Sequence, residues 1–373
     1  MERVLVTGGS NIGSAGVATM VYRWGQKFDS DKIVYDYLMQ KRIPERKYLE
    51  DIKKKGGRIY TLANKKKINV FRMIQWFIYV MRTNQYKTIH INSDSAYIAA
   101  VYIWSAKRAG VKNIVVHSHC SQIDEPLRLV RSIKILAHRL FVPYVKHNSK
   151  YFLACSVEAG VWMYGASGIA SPKFHVILTG EDINEFSYSE DGRERVRKEL
   201  SIKEAFVIGN IGRFSYQKNH DFLIDVFSEF TRTHPDAVLI LVGTGELKDS
   251  IKRKVRLLKL EKKVFFLQDR DDIPDIYSAM DVLVMPSRFE GMPATAVEAQ
   301  MSFLPCVLSD SITHDVKFTG DVRFLKGWDE AEWCGAINGY VNTDRNKDRD
   351  MLTTCAFNID NVIGELTRYL IGE

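Results

Sequence analysis

VLVMPSRFEGMPATAVEA, residues 282–299, is the stretch on which the reading of this chain turns. Residues 282–285 are a short apolar run of strand type, and Pro286 ends it. Glu290 and Gly291 supply a turn. Pro293 stands where a helix would begin, a position at which a missing N–H costs nothing. A strand that passes through a loop into a helix is half of a βαβ unit, and such units build parallel sheets.

The same alternation runs outward on both sides. In this half, further strands are expected at 206–211, 237–242, 264–267 and 305–308. The first half repeats the plan at 3–6, 32–38, 58–61, 88–91, 113–117 and 151–154. The pattern predicts an α/β chain of two Rossmann-like domains, each a parallel doubly wound sheet, facing one another across an interdomain cleft. Polar turn formers near residues 184–192 divide it into an N-terminal, acceptor-side domain (1–186) and a C-terminal, donor-side domain (187–357). A last helix in 358–373 is free to pack back on the first domain. Ligands of open parallel sheets bind beyond the carboxyl ends of the strands, so the chemistry should lie in the loops there.

Composition narrows the class. With 373 residues, 46% hydrophobic and 26% charged, the chain has the make-up of a globular protein with room for two cores. Five scattered cysteines without a C-x-x-C pair argue against a disulfide framework or a zinc site and suit a reducing compartment. MERVLVTGG reads as a strand entering a glycine turn, not as a signal peptide, and no apolar run is long enough to span a bilayer. A cytoplasmic location follows, at most peripheral on the inner face of the membrane. Lys and Arg number 28 against 14 Asp and Glu through residue 186, and 25 against 31 beyond it. A basic half joined to an acidic half suggests that one domain faces something anionic. The basic residues lack the aromatic interleaving of a nucleic-acid module, so nucleic acid is not an expected partner.

Five motifs sit where strands end. In the first, free amides near Gly291 and Met292 at a helix N-terminus form a place for a diphosphate. Glu290 precedes the helix, and Glu298 follows Pro293 by five residues, about 7–8 Å along the axis. One carboxylate can then reach a sugar and the other a ribose, although singly each could be an ordinary loop or helix glutamate. In NIGRFSYQKNH (210–220), Gly212 makes the turn, and Arg213 and Lys218 are two cations suited to a diphosphate leaving group, beside a helix capped by Asn219. VGTGEL (242–247) is a glycine turn with Gly243, which is equally well a simple tight turn. TGGSNIGSAGVA (7–18), with Gly13 and Gly16, lacks G-x-G-x-x-G, and Asp36 lies inside an aromatic run. It is read as a loop for a phosphate or sugar, not a nicotinamide site. VVHSHCS (115–121) offers His117 and His119 for a sugar hydroxyl or for packing, with no third ligand for zinc nearby.

Two segments are read differently. Asp269-Arg270-Asp271 reads as a loop with a helix cap, not as a metal-binding D-x-D. Residues 127–149 are a basic amphipathic segment that could lie on an anionic membrane or be an ordinary surface helix.

Taken together these motifs resemble the large family-four group of retaining GT-B glycosyltransferases, particularly bacterial enzymes of exopolysaccharide and capsule assembly. The likeness covers nearly the whole chain: HSHCS, IGRFSYQKNHDFLIDVF, LVGTGELK and FEGMPATAVEAQ. It implies a metal-independent hexosyltransferase without a cofactor. The donor would be a nucleotide-diphosphate sugar, UDP-linked first, and the acceptor a glycan or a polyprenyl-linked saccharide. It implies further that Arg213 and Lys218 hold the diphosphate, Glu290 faces the transferred sugar and Glu298 the ribose. The amides of Gly291 and Met292 would support the phosphates, and His119, before His117, would touch the sugar. Pro293, Gly212, Gly243, Gly13 and Gly16 complete the expected donor-binding set. Phe303 stands where the family has Gly, and SAGVA replaces its Gly-Gly-x-Glu. The altered N-terminal loop leaves an inactive GT-B partner subunit as one alternative, and paired carboxylates beside a phosphate cradle would equally suit an epimerase or hydrolase of the same fold.

Overall fold

The computed structural model describes residues 1–8, 12, 16–39, 46–62, 69–268, 270–345, 352 and 355–372. It divides into two compact units, Met1–Gly180 together with Ile359–Glu373, and Glu181–Asn358. The division thus falls a few residues before the polar stretch that the sequence suggested. The chain crosses it twice, and Glu181 and Asn358 are bridged at the crossing.

In the first unit β1 (Glu2–Val6), β2 (Ile33–Met39), β3 (Ile59–Thr61), β4 (Thr88–Ser93), β5 (Asn113–Ser118), β6 (Tyr151–Ala154) and β7 (Phe174–Val176) pair in parallel in the order β3-β2-β1-β4-β5-β6-β7. All residues of β2, β4 and β5 are buried, as expected where helices cover both faces. The pleat divides each strand between two layers. Val4 and Val6 join Trp24, Tyr35 and Tyr37, while Leu5 joins Phe77, Ile89 and Ile103 on the other side. Asp36 is fully buried and accepts hydrogen bonds from Arg3, the Arg58 amide and the Tyr86 hydroxyl. It is an internal ion-pair partner, which accounts for an acid inside an aromatic strand.

The second unit holds β8 (Val207–Ile211), β9 (Val238–Val242), β10 (Val264–Leu267), β11 (Val282–Met285), β12 (Cys306–Ser309) and β13 (Val322–Leu325), parallel in the order β10-β9-β8-β11-β12-β13. In both sheets the strand order reverses beside the first strand, the topology of a doubly wound fold. The helix Ile359–Ile371 belongs to the first unit. Leu366 and Leu370 are buried in its core, and the Asn113 amide donates to the carbonyls of Tyr369 and Leu370. Among the described residues no helix is long and apolar enough to cross a membrane.

Candidate active site

The loop after β8 is organised by glycines. Gly212 lets the Lys218 stem lie across it, since a Cβ there would sit 3.1 Å from Lys218 Cε. Gly243 (φ 143°) and Gly245 (φ 154°) have no room for side chains: a Cβ would lie 2.2 Å from the Gly212 carbonyl or 2.5 Å from that of Phe214. The turn after β9 therefore packs backbone to backbone on the Gly212–Phe214 loop, and the Phe214 amide donates to the Thr244 carbonyl at 2.9 Å. This contact is what makes Gly243 a glycine, whatever else it touches.

Lys218 Nζ lies 2.7 Å from Glu290 Oε1, with the two side chains only 14% and 7% exposed. Gln217 Nε2 donates to Glu290 Oε2 at 2.9 Å and to the Phe289 carbonyl at 3.0 Å. Two loops that start at neighbouring strands are thus clamped, and the Arg288 amide closes them by donating to the Gln217 carbonyl. Asn219 stands at the N-cap position as the sequence suggested, but its side chain makes no cap hydrogen bond. It takes a left-handed conformation (φ 54°), and its Oδ1 accepts from Arg288 instead. Arg213 does not join this cluster. It is 62% exposed and paired with Glu246 at 3.0 Å.

Pro293 precedes the helix Ala294–Met301 as its N-cap, one residue outside the position that the sequence suggested. The amides of Gly291 and Met292 donate to no acceptor among the described residues, although both residues are buried. Glu298, one turn into that helix and 8% exposed, accepts a 2.7 Å hydrogen bond on Oε2 from the Tyr277 hydroxyl. Burial, and then the Glu298 charge, push the Tyr277 hydroxyl well above its ordinary pKa and keep it a donor. At the far end Phe303 adopts φ 52°. Its amide donates to the Gln300 carbonyl, and that of Leu304 to Ala299, so Phe303 fills the left-handed place of a Schellman turn that glycine usually takes. Arg270 pairs with Glu199 and with Asp272, the residue that precedes the helix Ile273–Ala279; Asp269 lies outside the described residues.

In the first unit His90 on β4, His117 on β5 and His119 just after β5 stack with one another and with Trp24. The His117 ring lies 5.4 Å from that of Trp24 and 4.2 Å from that of His119, and His90 Nε2 meets His117 Nδ1 at 3.3 Å. His119 Nε2 bonds the Asn92 Oδ1 at 2.7 Å and retains 9% exposure, whereas His117 is fully buried. Burial pushes His90 and His119 down to about 3 and His117 well below its ordinary value, so all three rings are neutral. Asn92 also ties down the loop after β1, its amide nitrogens donating to Thr7. Gly16 begins the helix Gly16–Lys27, where a Cβ would meet nothing within 4 Å. Gly13 lies outside the described residues. Sequence reasoning missed Gln217, Tyr277, Glu246 and His90. QK in the Lys218 motif was the one available signal.

Comparison with known proteins places this geometry. Residues 192–316 match the family model of glycosyl transferases group 1. A Bacillus subtilis (strain 168) protein named as a glycosyltransferase, EpsF, is 30% identical over 84% of this chain and 81% of its own length. The Escherichia coli UDP-Gal:alpha-D-GlcNAc-diphosphoundecaprenol alpha-1,3-galactosyltransferase is 28% identical over 62% of this chain and 59% of its own. Anabaena Alr3699/HepE, solved in complex with UDP and glucose, shares the fold over the whole of both chains with a TM-score of 0.78 at 18% identity. With one relative so similar over most of both lengths, and with the two-domain GT-B architecture in place, this chain belongs to the group 1 glycosyltransferases.

Proposed function

We propose that this chain moves a sugar from a nucleotide-diphosphate sugar to a hydroxyl of a glycan or lipid-linked saccharide in surface polysaccharide synthesis, with retention of configuration and without a metal. The observation that carries the donor part is the clamp of Lys218 and Gln217 on Glu290, beside the Gly291 and Met292 amides. A diphosphate placed there meets a helix N-terminus and a lysine, which together offset the charge that grows as the bond to the sugar breaks. Glu298, held by Tyr277 through Oε2, would face the ribose hydroxyls. Both oxygens of Glu290 are already engaged, which suits a group that orients sugar hydroxyls better than a free nucleophile. Retention would then proceed by attack on the face from which the diphosphate leaves, the departing phosphate taking the acceptor proton. HepE has been solved with UDP and with UDP-glucose, and the E. coli relative is named for a UDP-galactose donor and a diphosphoundecaprenol-linked acceptor. Both favour a UDP-sugar donor, and the E. coli relative favours a polyprenyl-linked acceptor.

The test is thermal stability of the wild type and Lys218→Ala with UDP, GDP, ADP, NAD and their sugars, with and without EDTA. A nucleotide at 100 times its Kd should add roughly 2.7 kcal/mol of stability to the wild type. Stabilisation that ignores EDTA and vanishes in Lys218→Ala supports the donor site. Stabilisation by NAD alone, or by none of them, overturns it.

A further inference from the structure

The side chain that holds His119 decides which of its ring nitrogens is left for a ligand. The run T-H-I-N-S of β4 alternates His90 and Asn92 onto one face of the strand, and β5 brings His117 into register with Asn92. His119 follows one residue beyond the end of β5. Trp24, from the helix Gly16–Lys27, lies against the rings of both His117 and His119. Asn92 is only 6% exposed, so its polar atoms need partners within the protein.

Those partners settle where the protons are. Asn92 Nδ2 lies 3.0 Å from the Thr7 carbonyl. A carbonyl oxygen only accepts, so this contact fixes which end of the amide is nitrogen. The oxygen end then faces His119, with Oδ1 2.7 Å from Nε2. An amide oxygen also only accepts, so Nε2 carries the ring proton. Thr7 steadies Asn92 from the main chain as well, its hydroxyl accepting from the Asn92 backbone amide at 3.0 Å. Next to it Gly8, at φ 89°, leaves no room for a side chain, since a Cβ would stand 2.8 Å from that of Asn92. The titratable groups that face the His119 ring, His90 and His117, are neutral, and burial holds His119 itself down at about 3. A neutral imidazole with its proton on Nε2 has a bare lone pair on Nδ1. That nitrogen has no partner among the described residues.

We propose that Asn92 is a positioning residue for His119: by accepting from Nε2 it makes Nδ1 the acceptor to which a hydroxyl of the donor sugar gives its hydrogen bond. A phosphate oxygen or a carboxylate has no proton to give and finds no bond there. The tautomer follows from the first unit alone, whereas the ligand rests on the transfer reading above. Asn92 thus has two separable tasks, one on His119 through its oxygen and one on Thr7 through its nitrogen.

The test is ring-nitrogen NMR of the full chain labelled in histidine, with the His119 signals identified by their loss in His119→Gln. The wild type should show a proton on Nε2 and none on Nδ1. Asn92→Leu keeps the bulk but offers no acceptor, whereas Asn92→Asp keeps the acceptor and gives up the donation to Thr7. Both should melt lower than the wild type, so stability does not separate the two tasks. In Asn92→Leu a share of the His119 protons should move to Nδ1 while the His90 and His117 signals stay in place. UDP-glucose should then bind that variant about tenfold more weakly relative to UDP, the scale of one hydrogen bond. Asn92→Asp should keep the proton on Nε2, raise the pH at which the ring takes a second one, and hold the ratio of UDP-glucose to UDP affinity within about threefold of the wild type. A wild type with its proton on Nδ1 overturns the proposal, as do unchanged ring signals in Asn92→Leu. So does an aspartate variant that loses the sugar preference as fully as the leucine one, since Asn92 would then act only as a strap on Thr7. If neither UDP nor UDP-glucose binds the wild type, the donor reading fails, and the spectra decide the tautomer by themselves.

Discussion

Replacing Lys218 by Met removes the cation from a pair whose two side chains are 14% and 7% exposed and stand 2.7 Å apart. Breaking a buried ion pair from one side costs about 3–5 kcal/mol, mostly because the remaining charge is left in a poor environment. Here the loss should be smaller, about 2 kcal/mol, because Gln217 still donates to Glu290. Glu290→Gln removes the charge at nearly constant shape and strands the lysine instead. The double variant Lys218→Met/Glu290→Gln leaves neither charge, and it should regain most of what the singles lose. Calorimetric or fluorescence-detected melting of the four proteins measures this coupling. At about 2–4 °C per kcal/mol for a unit of this size, each single should melt about 4–8 °C lower and the double close to the wild type. Single losses that add within about 0.5 kcal/mol would refute the reasoning, since the two groups would then be energetically independent.

Other outcomes follow from the same structure. Phe303→Gly relieves a left-handed residue by about 1–2 kcal/mol but deletes a buried ring worth about 3–5, so urea unfolding should show a net loss of about 2–3 kcal/mol; a gain would mean that the turn is the more strained of the two. Tyr277→Phe removes a hydrogen bond that positions Glu298, and steady-state kinetics should show the donor KM rising about tenfold with kcat little changed, the opposite split arguing against a ribose contact. The three buried histidines have folded pKa values below the unfolded value of about 6.5, so the unfolded chain binds more protons in that range. Their contribution is whole above about pH 6.5 and shrinks as pH falls toward 3. Melting scans should therefore show stability dropping through that window, less steeply in His117→Phe, and equal slopes in the two proteins would count against the stack as the cause.

Much of the architecture could be read from the sequence because its signals are local. The strand, proline and helix of 282–299 fall within one short stretch, and the structure places them within a residue of expectation. The edge strands β7 and β13, of three and four residues, were not among those expected. The site was legible as a set of charges and not as a set of partners. Arg213 and Lys218 look equivalent at a spacing of five, yet one reaches Glu246 across the β9 turn and the other reaches Glu290 from the next strand. Gln217, Tyr277 and His90 owe their places to residues 73, 21 and 27 positions away, distances over which no local pattern carries information.

The passage of the chain out of the first unit at Gly180 and back at Ile359 sets an order of events during synthesis. The second unit is contiguous and can fold as soon as it clears the ribosome. The first, although begun earlier, lacks the Ile359–Ile371 helix over β4 and β5 until that helix has been synthesised. Until then Val362, Leu366 and Leu370 are missing from its core. A stop codon just ahead of this helix would thus spare the second unit and expose apolar surface on the first, sending the truncated product to chaperones and proteases.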